Sequence, residues 1–178
     1  MAWRLITYRL PTDPSRHRVA IWRELRRLGA VPLQQGTWAV PQGEPFDAGL
    51  DQVIAQIAAA SGQPVVLGIA DDEASTAQLE TLFTAQREAE WAEFVSDCDK
   101  YEAELAAEVA KGKLTLAELD EEEESLERLR RWYRVIRRRD LFAAPGAAAA
   151  EQRLKDAAEA LERFADQVYQ AREHGGAG

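Results

Sequence analysis

The chain has 178 residues, 46% hydrophobic and 30% charged, with a net charge of −9 and one cysteine, Cys98. That composition belongs to a folded globular protein, and a single thiol excludes an intramolecular disulfide framework, which fits a reducing cytoplasm. No window reaches the ~18–20 uninterrupted apolar residues of a membrane span, and Met1 to Ile6 is too short an apolar stretch for a signal peptide.

Trp3 to Leu10 is rich in aromatic and β-branched residues and stops at Pro11, which predicts a first strand. Asp13-Pro14 supplies an N-cap and a first-turn proline for a helix. Val19, Trp22, Leu25 and Leu28 recur on it as an apolar face, and Gly29 closes it. Ala30–Gln34 and Thr37–Val40 read as two strands joined at Gln35-Gly36. A second helix carries Leu50, Val53, Ile54, Ile57 and Ala58 on one side. Pro64–Ala70 is a continuous apolar run suited to the middle of a sheet. The order β-α-β-β-α-β predicts a ferredoxin-like head over residues 1–72.

Residues 73–174 read as a helical arm. Ser75-Thr76-Ala77-Gln78 is a capping-box pattern for a helix over about 76–111, with a stripe running Leu79, Leu82, Phe83, Trp91, Phe94, Val95, Cys98, Tyr101, Leu105, Val109. Thr115-Leu116-Ala117-Glu118 opens a second, over about 115–139, whose Leu119, Leu126, Tyr133 and Leu129, Ile136 are heptad-spaced. A third, over about 147–173, places Leu154, Leu161 and Val168 seven apart with Phe164 beside them. Residues 175–178 are expected to be a disordered tail. The expected class is α+β: a ferredoxin-like βαββαβ head followed by a three-helix, antiparallel bundle-like arm.

Several strings resemble the N-terminal domain of ChrB, the chromate-resistance regulator: Trp3, Leu10-Pro11, Arg18, Trp22-Arg23, Leu25, Gly29-Ala30, Leu33, Gly36, Trp38 and Pro41. Glu90-Trp91-Ala92-Glu93-Phe94, Asp140-Leu141-Phe142 and Pro145-Gly146 resemble its helical half. The resemblance implies a bacterial protein that controls or accompanies chromate efflux. It also implies a second, C-terminal domain, for which this chain has no room. The head is similar, too, to that of PaaX-type repressors and of the small CRISPR-adaptation nucleases, where an acid ending the first strand holds a metal. Here the stretch is Tyr8-Arg9-Leu10-Pro11, without an acid, which argues against metal-dependent cleavage.

The charge is segregated. Residues 71–127 carry 19 acids against 4 bases, whereas 128–139 hold seven arginines and no acid. Arginine's planar fork suits phosphate, sulfate or chromate oxygens, so Arg131, Arg134, Arg137 and Arg138 are candidate DNA or oxyanion contacts. The alternative is that Glu118–Glu127 and neighbouring acids neutralise the run. Arg16, His17 and Arg18, at a helix N-terminus that already attracts anions, form a second candidate with Arg23, Arg26 and Arg27. Cys98 could sense chromate as a thiolate, but its place in the apolar stripe favours an inert buried thiol. Consecutive acids from Asp120 to Glu124 fan around a helix and cannot converge on one ion, while Glu90, Glu93 and Asp97 share a face and offer a weak carboxylate site. No catalytic constellation or glycine-rich phosphate loop can be assembled. The expectation is a cytoplasmic, non-catalytic binder without metal or cofactor. Its expected partners are DNA or an oxyanion, with a homodimer or docked partner on the heptad faces as the alternative. The weakest alternative is an oxyanion-handling enzyme.

Overall fold

The computed structural model describes residues 1–69 and 72–175, without side chains at 174 and 175. It divides into two compact units, Met1–Gln86 and Arg87–Gly178, with the division inside one helix. The first unit contains β1 (Trp3–Arg9), α1 (Ser15–Leu28), β2 (Val31–Gln34), β3 (Thr37–Pro41), α2 (Phe46–Ala59) and β4 (Gln63–Gly68). The sheet order is β2-β3-β1-β4, antiparallel throughout, which is the ferredoxin-like arrangement. Helix α3 (Glu73–Lys111) begins in this unit and ends in the second, which it shares with α4 (Leu116–Arg139) and α5 (Ala147–Gly175).

Alternation along β1 sorts the sheet into two faces. Ile6 stands abreast of Trp38 and Val66 in the register, and Leu5 of Ala39 and Leu67. Ile21 and Leu25 of α1, and Leu50, Val53 and Ile57 of α2, complete the core with fully buried Ile6. Trp3 and Phe46 each meet the ring of Phe83 edge-on, at 5.7 and 6.1 Å, which ties the first turns of α3 to this unit. The apolar run expected in the middle of the sheet forms an edge strand instead. β4 pairs with β1 alone, and Val65 and Leu67 are about half exposed. An unbroken apolar run signals burial of both faces, and here one face stays open. Ala70 and Asp71 lie outside the described residues.

Two cap assignments also shift. The N-cap of α1 is Pro14, with no side-chain cap hydrogen bond, because Asp13 lies one residue too early. Helix α3 starts before the Ser75 box: Asp72 Oδ1 accepts from the Ser75 amide at 2.8 Å, a cap that moves the start three residues upstream of the expected one. Thr115 caps α4 as its motif indicates, its Oγ1 accepting from the Glu118 amide at 3.2 Å. Gly29 caps α1 in the left-handed region, at φ 88°.

The second unit is built on one seam. Trp91, Phe94, Cys98, Tyr101 and Leu105 of α3 face Leu119, Leu126, Leu129 and Ile136 of α4. From α5 the fully buried residues are Ala150, Ala157, Phe164 and Val168, whereas Leu154 and Leu161 are only partly buried. The seven-residue spacing is right, but the seam runs through the small alanines, which let helices approach closely. Residues at and beside the Glu90–Phe94, Asp140–Phe142 and Pro145-Gly146 strings close the α4–α5 turn. The Trp91 indole N–H donates to Asp140 Oδ2 at 2.9 Å, Asp140 accepts from the Ala144 amide, and Glu88 accepts from the Gly146 amide at 2.7 Å. Gly175, expected in the tail, is the last residue of α5, and residues 176–178 lie outside the described residues.

Candidate nucleic-acid interface

α1 carries two apolar stripes. Ile21 and Leu25 are buried, while Val19 and Trp22, read from the sequence as part of the same core face, are 45% and 50% exposed. At about 100° per residue, Arg18 and Arg23 fall on either side of the Val19–Trp22 pair. These four residues form one wall of an open groove of about 980 Å³. The other walls are Tyr8, Arg9 and Leu10 from the end of β1, and Pro32, Gln34, Gln35, Gly36 and Trp38 from the β2–β3 hairpin. Among the described residues, three arginines line it and no acid does.

The hairpin reaches this position because residue 36 is glycine. Its φ is +73°, and a Cβ there would stand 2.8 Å from the Tyr8 carbonyl oxygen, while the Tyr8 amide donates to the Gly36 carbonyl at 2.9 Å. Burial pushes the Tyr8 phenol up, against a smaller opposing contribution from the neighbouring, buried Trp38 indole. The groove is thus lined by one buried indole, Trp38, and one half-exposed indole, Trp22.

Arg16, Arg18 and Arg23 are exposed and make no ion pair among the described residues. His17 is half-buried. Arg27 is held by Glu24 at 2.6 Å, and Arg26 lies over the Trp22 ring, 5.7 Å from its centroid. The α1 candidates therefore differ: three offer free cations, and two are engaged on their own helix.

The α4 run divides as well. Arg139, 8% exposed, donates to Glu90 Oε2 at 2.9 Å, and the fully buried Arg87 donates to Glu90 Oε1 at 2.8 Å. Arg130 pairs with Glu127 at 2.7 Å, and Arg128 donates to the Ser125 hydroxyl. That hydrogen bond from Arg130 holds the Glu127 carboxyl low, helped by the charges of Arg134 and Arg131. Arg131, Arg134, Arg137 and Arg138 are exposed without an ion pair among the described residues. The carboxylate face seen in the sequence is already occupied: Glu90 serves two arginines, and Asp97 pairs with Lys100.

Cys98 is fully buried, and burial pushes its thiol up to about 11, against a smaller opposing pull from Arg153. It is protonated near neutral pH and has no access to solvent, so a thiolate role is absent from the native state. No helix among the described residues is long and apolar enough to cross a membrane.

Sequence reasoning found Arg18 and Arg23 but missed Arg9, Tyr8 and Trp38, and assigned Val19 and Trp22 to the core. The available signal was excess: five apolar residues on α1 cover more of its circumference than one core face needs.

A family model described as "Protein ChrB, N-terminal" matches residues 18–175. Among curated proteins, "Protein ChrB" of Cupriavidus metallidurans is 29% identical over 158 residues, covering 87% of this chain and 45% of the relative. The chain thus spans under half the length of that relative.

Proposed function

The chain belongs to the ChrB N-terminal family, and from that premise we propose that it serves bacterial chromate resistance as a cytoplasmic, non-catalytic regulatory protein that binds DNA. One observation carries the reading. Arg9, Arg18 and Arg23 line a groove without an acid among the described residues, in a protein whose net charge is −9. Local cations in an acidic chain are unfavourable for non-specific attraction, so their value lies in a defined contact with a polyanion. Arg16 extends the cluster at the N-terminus of α1. Arg131, Arg134, Arg137 and Arg138 supply a second row of exposed cations on α4.

The open shape favours DNA over a small oxyanion. A chromate or sulfate dianion is held by donors that converge in a desolvated cage, whereas cations spread along an open surface match a repeating phosphate backbone.

The test is fluorescence anisotropy with labelled DNA from upstream of a chromate-resistance operon. Binding is expected at ~50 mM salt and should fall steeply by ~200 mM. The double variant Arg18→Ala/Arg23→Ala should lose at least ~10-fold in affinity, with the salt slope reduced by about 2. Absence of wild-type binding at ~50 mM salt would overturn the reading. A thermal shift with chromate but none with DNA would replace it with the oxyanion alternative.

A further inference from the structure

The groove beside α1 has a feature that phosphate binding does not need. Phosphates require cations and amides, and Arg16, Arg18 and Arg23 supply the cations without any aromatic ring. Yet Trp22 stands half exposed on the rim, with Val19 beside it and Trp38 and Tyr8 beneath. Leaving an indole in water forgoes the stabilisation that burial would bring, and α1 already has a sufficient core face in Ile21 and Leu25.

The indole is also prepared for stacking. Arg26 lies over its ring, yet Arg26 does not line the groove while Trp22 does. The guanidinium thus engages the ring from outside the groove that Trp22 lines. A planar partner there would complete a three-layer stack of guanidinium, indole and incoming ring, with Arg18 and Arg23 flanking it. The Gly36 close approach and the Tyr8-to-Gly36 backbone hydrogen bond hold the hairpin wall in place, so stacking requires little ordering of the site.

We infer that this groove stacks an unpaired nucleobase on Trp22, with the flanking phosphates on Arg18 and Arg23, so that the chain prefers single-stranded or locally opened DNA. The inference rests on the reading of the protein as DNA-binding and adds a strand preference to it. The groove's chemistry fits such a ligand on both counts: every base offers a π-face, and each base in a single strand is bracketed by phosphates. In a closed duplex the bases are stacked on one another and their faces are not offered to a side chain.

The experiment compares three probes of equal length by anisotropy at ~50 mM salt: a single-stranded oligothymidylate, a blunt duplex, and a duplex with a central unpaired bulge. The wild type should bind the single strand and the bulged duplex roughly 10-fold more tightly than the blunt duplex. Trp22→Ala should erase that preference by weakening single-strand and bulge binding roughly 10-fold more than blunt-duplex binding, and Trp22→Phe should retain most of it. Single-strand binding should quench tryptophan fluorescence in the wild type and much less in Trp22→Phe. Equal affinity for all three probes, or a preference that survives Trp22→Ala, would overturn the stacking inference while leaving DNA binding in place. Failure to bind any probe would overturn both.

Discussion

The α1 and α4 arginine clusters are similar in density and differ in what surrounds them. On α1, Arg18 and Arg23 flank an exposed indole, and the lining groups around them among the described residues are aromatic, aliphatic, amide or cationic. On α4, the apolar side is committed to the three-helix core, and the arginines share their surroundings with carboxylates: Arg139 and Arg130 each have one in direct contact. A sequence run shows where cations are abundant. What each cation faces decides whether it binds a ligand or holds the fold, and adjacent residues such as Arg138 and Arg139 can do one each.

The sharpest way to separate those roles is to remove Glu90, the carboxylate that receives both Arg87 and Arg139. Taking the shared carboxylate away from two buried guanidinium groups costs about 3–5 kcal/mol. Glu90→Ala should therefore lower Tm by roughly 10 °C for a chain of this size. Arg138→Ala, one residue from a member of that network but exposed, should change stability by less than about 0.5 kcal/mol. Equal effects in calorimetry would dissolve the distinction between the two.

How much of this was legible beforehand follows from which interactions are local. The α+β class and the split βαβ order were readable because each element carries its own boundary signal, such as Gly29 after α1 and Thr115 before α4. β4 misled because Val65-Val66-Leu67 has the composition of a central strand, and its position at the edge is decided by pairing with residues 60 positions away. Leu154 and Leu161 misled because two interleaved heptad positions are equally periodic, and packing against α3 and α4 chose the alanines. The groove was half legible. Arg18 and Arg23 are visible as charges, whereas Arg9, Tyr8 and Trp38 join them only once the β2–β3 hairpin folds back on the end of β1. The Glu90–Arg139 pair spans 49 residues and has no local signature at all.

A second, smaller effect concerns the acids rather than the arginines. Glu122 is 5% exposed, and its carboxyl is raised from 4.5 to about 7, first by burial and then by the charges of Glu104, Glu108, Glu118 and Glu121. A folded-state value above the unfolded one means that the native state holds the proton more tightly. The resulting stability is fully present below about pH 4.5 and is lost as pH rises through about 7. Glu122→Gln should thus be more stable than the wild type at pH 8, on the order of 2 kcal/mol, and nearly equal to it at pH 4.5. Melting curves across that range check it; a difference independent of pH would mean that packing, not ionisation, governs the site.

The smallest effect returns to the clusters themselves. Neutralising an arginine that contacts a phosphate removes about one unit from the salt slope of DNA binding. An arginine already paired within its helix has less to give, because its own carboxylate must be uncovered for each phosphate gained. Arg23→Ala should therefore reduce the slope by about 1 and weaken binding severalfold, while Arg130→Ala, which releases Glu127, should leave the slope nearly unchanged. Affinity measured at four or five salt concentrations is enough to separate these. Should Arg130→Ala match Arg23→Ala, the Glu127 pair would not keep Arg130 from the ligand, and pairing would no longer mark the boundary between the binding arginines and the structural ones.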